Sequence, residues 1–402
     1  MQRIVITGMG VVSPIGNSVE DFRANLFAGT CGIGKVRFPF RGQEVSFPGA
    51  AIKDFSPEEY IDPKKLPMMD RVAQLAVGAA MQAKRDAGLA MEGDERVGAI
   101  IGTGAGGQNT QEESYMRLFD PDGSGRVHPF TIPRLMISAA ASQVSMALGV
   151  TGPCFTVASA CASALHAMGT AVAMLRCGLI DTAVTGGAES CLTFGALRGW
   201  EALRVMAPDV CRPFSLGRAG MVIGEGAAMF VLETEEKAKA RGAKIYAELA
   251  GFGMSSDAKD ITTPDASGAS RAIANCLKDA RLDVADVDYI NAHGTGTRIN
   301  DAVETQAVKQ ALGDHAKKIA LSSSKSMFGH ALGAAGALET LATVLAVRGN
   351  VAPPTVNYLE ADPECDLDYV PNEAREMKID VALNDSFAFG GLNAVVAVRK
   401  CS

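Results

Sequence analysis

From Leu135 to Leu175 the chain carries no Asp, Glu, Lys or Arg. An uncharged run of that length must either cross a membrane or be hidden inside protein. This one contains Gln143, Pro153, His166, several Ser and Thr and internal glycines, and a Val150-Thr-Gly-Pro153 turn signal divides it. Neither part is a continuous apolar helix, so the expectation is buried core or a subunit interface, with no membrane span. Only a large body can bury so much, and 402 residues with 48% hydrophobic content supply one.

Around this run, short β-branched segments alternate with Ala-rich stretches of helical spacing. RIVITGMG, VGAIIGTG, CFTVASA, DTAVTGG and AAMFVLET read as strands, and SVEDFRANLFAG and MDRVAQLAVGAAMQAKRDAGL as helices. The pattern then restarts. KIYAELAGFG, VDYINAHG, KIALSSS, DVALNDSFAFGG and LNAVVAVRK read as strands, with SRAIANCLKDARL as a helix. The chain is therefore expected to be α/β, with two similar halves, 1–243 and 244–402.

The net charge of -7 argues against a nucleic-acid binder, while leaving room for a local basic patch. The nine cysteines form no CxxC pair, which fits a reducing, cytoplasmic setting rather than a disulfide framework or zinc cluster. The N-terminus, MQRIVITGMGVVSP, has no secretory apolar region. A formal GxGxxG at Gly102, Gly104 and Gly107 lacks a convincing acidic ribose ligand, so close backbone packing is the better reading.

Cys161 lies inside the uncharged run, between a predicted strand and the Ala-rich segment CASALHAMGTAVAML. A thiol at a helix N-terminus meets unpaired N–H groups and the positive end of the dipole, both of which favour thiolate. Packing alone would also explain a buried cysteine. Of the five histidines, His293 in NAHGTGT and His330 in KSMFGHALGAAG each follow a predicted strand in a Gly-bounded loop. Beside a nucleophile they suggest acid–base or oxyanion roles. Lys325 and Glu339 flank His330 and are spaced to pair. His128, His166 and His315 have no comparable setting, and no metal-ligand spacing occurs.

Four segments, ASACASA, NAHGTGT, SSSKSMFGHALGAAGALE and DSFAFGGLNA, resemble in order and spacing the signatures of the elongating β-ketoacyl-acyl-carrier-protein synthases. GMGVVSPIG, RPFSLGRAGMVIGEGAAMFVLE and GFGMSSDA extend the similarity over nearly the whole chain. The resemblance implies a thiolase-like fold of two βαβαβ-type halves in an α-β-α-β-α body, and a homodimer. It implies decarboxylative Claisen condensation of an acyl thioester with malonyl-carrier-protein, as in fatty acid biosynthesis, with neither cofactor nor metal. Cys161 then accepts the acyl chain, His293 and His330 serve the malonyl unit, and Lys325 pairs with Glu339. The N–H groups of Cys161 and Phe389 form the oxyanion hole. Thr295 and Thr297 touch the phosphopantetheine arm, and Ala105, Phe387 and Phe389 line the acyl pocket. Lys64 and Lys65 correspond to basic residues that dock the acyl carrier protein.

Three positions depart from the family pattern. Ala388 replaces a glycine in a gating loop, Ala219 replaces a frequent Asp, and Ala105 replaces a bulkier pocket cap. They suggest a specialised paralogue, making a nodulation signal, an unusual fatty acid or a polyketide. A thiolase would need a second cysteine near FAFGGLNA. A non-catalytic chain-length subunit would be expected to lack Cys161.

Overall fold

The computed structural model describes residues 2–401. Ten strands form one continuous sheet: β1 (Ile4–Val12), β2 (Val97–Gly102), β3 (Cys154–Val157), β4 (Thr182–Glu189), β5 (Gly226–Thr234), β6 (Ala247–Ser256), β7 (Tyr289–Asn291), β8 (Ala320–Ser322), β9 (Val381–Ala388) and β10 (Leu392–Arg399). Their order is β8-β7-β9-β10-β6-β1-β5-β4-β2-β3. Outward from the centre, the first round runs β1-β5-β4-β2-β3 and the second β6-β10-β9-β7-β8, the same permutation. Pairing types repeat as well: antiparallel, antiparallel, parallel, parallel in each round. The rounds meet through a short contact, Val5 opposite Glu248 and Ile6 opposite Ala247.

The principal helices are α1 (Val19–Phe27), α2 (Arg71–Ala87), α3 (Gln108–Phe119), α4 (Thr131–Leu135), α5 (Ala139–Leu148), α6 (Ser163–Arg176), α7 (Ala266–Ala280), α8 (Arg298–Leu312) and α9 (Ala335–Gly349). Helices α6 and α9 lie in the middle, in a core cluster shared with strands of both rounds. On the outer faces, α2 and α5 cover the first round and α7 and α8 the second. This is the expected α-β-α-β-α layering. A small three-stranded sheet, Gly34–Phe40, Gln43–Ala50 and Ile223–Gly224, was not foreseen; its first strand is largely exposed, while Phe38, Val45 and Phe47 pack on the core.

The uncharged run becomes α5, β3, the Cys161 turn and α6. Helix α6 is buried on most of its length, as expected of core. Its neighbour β3 is an edge strand with Cys154 and Phe155 exposed. The one helical stretch among the described residues long and apolar enough to span a membrane is a different one, Leu332–Gly349, and 89% of it is buried inside the protein.

Several helix starts are specified by a side-chain cap. Asp70 caps α2 by accepting from the Val72 N–H, and Gly88 ends that helix at φ 59°. Asp265 caps α7 and Thr297 caps α8 in the same way.

Candidate active site

The equivalent exits of the two rounds converge. Cys161 follows β3, and Lys325 and His330 follow β8, its counterpart; His293 follows β7 and Phe389 follows β9. Between β3 and α6 the chain makes the sharp turn that small residues permit. Ala160 is held at φ 49°, a conformation costing a non-glycine residue about 1–2 kcal/mol. A local clasp holds it: Ser163 Oγ donates to Ala160 O at 2.6 Å and accepts from the Ser159 N–H at 2.9 Å. His166 takes part too, its Nδ1 lying 2.8 Å from Ser159 Oγ, a role its surroundings in the sequence did not signal.

Cys161 is 7% exposed and lies just before the Ala162 cap of α6. Its Sγ is 3.1 Å from His330 Nε2. The His293 and His330 rings are 5.3 Å apart and nearly perpendicular, at 85°. One ligand-type atom from each of these three residues falls within 4.8 Å of the others. Lys325 and Glu339, both fully buried, form an ion pair. The Lys325 Nζ also donates to His293 O at 2.5 Å and lies 3.3 Å from His293 Nδ1. An ammonium facing Nδ1 makes that nitrogen the acceptor and leaves the ring proton on Nε2.

Burial dominates the electrostatics. It pushes the Cys161 thiol up to about 11, and the opposing pull of Lys325 and of the Phe389 N–H is too small to reverse it. The expected depression at the helix start is therefore not what governs this thiol: desolvation outweighs the dipole. His293 and His330 are held well below the usual histidine range, by burial first and then by Lys325. At neutral pH the site holds a neutral thiol against neutral imidazoles, so ionising the thiol requires handing its proton to a neighbour.

Cys161, His293 and His330 stand in a cavity of about 580 Å³. Thr295, Thr297, Phe387 and Phe389 also line it. The Thr295 and Thr297 hydroxyls are 2.9 Å apart. Trp200, the only tryptophan, sits 6.0 Å from the Phe389 ring.

Ala105 departs from its expected place. It is exposed and does not line the cavity, because the Glu189 carboxylate accepts from the Gly104 and Ala105 N–H groups and holds their loop. Lys64 and Lys65 are exposed before α2 but do not line the cavity; Arg204 and Arg298 do. Ala388 carries no left-handed strain, since positive φ falls at Gly390 and Gly391. Ala219 lines the cavity.

Sequence reading missed the supports. Glu189, fully buried, also accepts from Thr103 Oγ1 at 3.0 Å and the Gly333 N–H at 3.0 Å, tying the 103–105 loop to the segment after His330. Glu304 accepts from the His293 and Gly294 N–H groups at 2.6 and 2.7 Å, and burial pushes its carboxyl up to about 8. Arg218, 2% exposed, donates to Thr297 O and Arg298 O and pairs with Asp362 and Asp301. An acid ending an apolar strand, DTAVTGGAE, and the Asp301–Glu304 spacing on one turn of α8 were the available signals.

Comparison with known proteins agrees with this geometry. Models of the beta-ketoacyl synthase N-terminal and C-terminal domains match residues 1–238 and 246–359. Nodulation protein E of Rhizobium sp. (strain N33) is 48% identical over 401 residues, covering 99% of both chains. The 3-oxoacyl-[acyl-carrier-protein] synthase 2 of Coxiella burnetii is 44% identical over 412 residues, also covering 99% of both. A solved structure titled the ishigamide ketosynthase/chain length factor superposes with a TM-score of 0.95 at 35% identity, covering 100% of both chains. A beta-ketoacyl synthase from Burkholderia phymatum STM815 gives 0.91 at 34%, likewise over 100% of both. The chain belongs to the beta-ketoacyl synthases, and it is a condensing acyltransferase of the thiolase-like fold.

Proposed function

We propose that Cys161 is the acyl acceptor of the condensation, that His293 and His330 serve the malonyl unit, and that acyl carrier protein delivers both substrates. The observation that carries this reading is the 3.1 Å approach of His330 Nε2 to Cys161 Sγ, with His293 beside it in the same cavity.

In the first step Cys161 Sγ attacks the acyl thioester carbonyl. Its proton passes to His330 Nε2 and on to the departing carrier thiolate. In the second, the bond between the malonyl α-carbon and its carboxylate breaks and carbon dioxide leaves. The electron pair remains as an enolate whose oxygen accepts from the His293 Nε2–H. The α-carbon then attacks the Cys161 thioester. The N–H groups of Cys161 and Phe389 hold the tetrahedral oxyanion, and the Cys161 sulfur is expelled. Lys325 fixes the His293 tautomer, and Glu339 keeps that ammonium paired.

The greater identity to nodulation protein E than to the synthase 2 relatives favours a specialised acyl product over housekeeping synthesis. A chain-length subunit without turnover is disfavoured by the intact Cys161–His330 contact. A homodimer is part of the same reading. Edge strand β3 exposes its backbone, and apolar side chains project nearby from α3, α4 and α5, including Met116, Phe119, Ile132 and Met146. The unpaired cysteines accord with a reducing, cytoplasmic setting.

Intact-mass analysis with acyl-carrier-proteins, then malonyl-carrier-protein, tests the assignment. Cys161→Ala should carry no acyl adduct. His293→Ala should keep the adduct and lose carbon dioxide release and condensation by about two to four orders of magnitude. An adduct of equal yield on Cys161→Ala, or undiminished decarboxylation by His293→Ala, would reject it.

A further inference from the structure

At the other end of α9 from Glu339 lies a second cleft, of about 590 Å³, built from residues before Ala87 and after Gly242. Its volume is in the range of small-molecule sites. Four cations line it, Arg23, Arg85, Lys244 and Arg348, all exposed. Among the described residues none of them pairs with a carboxylate, whereas Arg3, Arg71, Arg96 and Arg117 elsewhere on the surface each hold one. In a chain of net charge -7 this gathering is not a by-product of general basicity.

Two acids, Asp86 and Glu20, line the cleft against the four cations and leave an excess of positive charge. Asp86 accepts from the Met9 N–H at 2.9 Å and from the Tyr246 hydroxyl at 2.6 Å, and that hydroxyl accepts from Lys244 Nζ at 2.6 Å. Two aromatic rings hold the cations in place. Lys244 lies 4.2 Å and Arg348 4.8 Å from the Tyr246 ring centre, and Arg85 lies 5.3 Å from that of Tyr60. Cations gathered in one cleft, with fewer acids to balance them, favour an anion there.

We infer that this cleft binds the phosphate group of a small anion, held by Arg85, Arg348, Arg23 and Lys244. None of these residues lines the cavity around Cys161.

Calorimetric titration of the full chain with ribose 5-phosphate, ADP and inorganic phosphate, at constant ionic strength, tests it. Saturable binding at one site per chain is expected. Arg85→Glu/Arg348→Glu should weaken it at least tenfold while condensation continues at the parent rate. Inorganic phosphate should compete with ribose 5-phosphate and with ADP; failure to compete overturns recognition of the phosphate group. The site is overturned by the absence of saturable binding, or by unchanged affinity in the double variant. It is also overturned if that variant loses affinity for carrier protein while the parent binds none of the three probes, which would make the cleft a protein-docking face.

Discussion

At Cys161 the protein trades intrinsic reactivity for protection. The thiol is buried enough to be pushed up to about 11, yet its proton has an acceptor 3.1 Å away in His330. Ionised fraction in the free enzyme should therefore keep rising with pH. Alkylation of Cys161 by iodoacetamide, followed by intact mass, should climb about tenfold per pH unit from about pH 7 to about pH 9. A plateau below about pH 8 would mean that the helix start and Lys325 outweigh burial. The Lys325–Glu339 pair makes a second prediction. Both side chains are fully buried, so removing one partner leaves an uncompensated charge. Glu339→Gln should lower unfolding free energy by about 3–5 kcal/mol in urea titration and also slow condensation. A midpoint unchanged from the parent would show that Lys325 sheds its charge instead. Residue type and loop setting singled out Cys161, His293 and His330, and the family resemblance supplied the roles proposed for them. Glu189, Glu304 and Arg218 were not, because a buried carboxylate or guanidinium looks in sequence like any surface charge until its backbone partners are known.

Among the elements, α2 shows how one side chain does two jobs. Asp70 Oδ1 caps the helix at the Val72 N–H, and its Oδ2 accepts from the Thr110 N–H and hydroxyl at 2.7 and 2.6 Å. It thus ties α2 to α3, beside the loop that Glu189 holds. Asp70→Ala should cost about 2–4 kcal/mol, more than a simple cap, because Thr110 is left buried without its partner. Asp70→Asn should recover part of the loss, and equal loss in both variants would reject this account. Helix α2 was readable from its spacing and from Gly88, and β1, β2, β4 and β5 from their β-branched runs. The hairpin before Ala50 was not read, although its alternating Phe38, Val45 and Phe47 pack on the core. Nor was the outward turn of Ala105, which is set by a carboxylate 84 residues away.

Across the whole molecule, one strand permutation occurs twice, in β1–β5 and in β6–β10, although the two sequences barely echo each other. Two rounds of the same topology place equivalent strand ends at one mouth, which is why Cys161 from one round meets histidines from the other. The exposed edge of β3 belongs to this scale. If it pairs with a second copy, Phe155→Glu with Met146→Lys should convert the assembly to monomer in light scattering, leaving the far-UV spectrum unchanged. A dimer that persists in this double variant would move the interface elsewhere.

By itself the sequence determined most element types and singled out Cys161, His293 and His330, because periodicity and small-residue turns are local properties; the layering followed from the order of motifs shared with a family. Tertiary structure decided the protonation balance, the supports and the second cleft. Desolvation depends on what surrounds a group from every side. Whether Arg85 or Arg348 finds a carboxylate depends on chain segments far away in sequence.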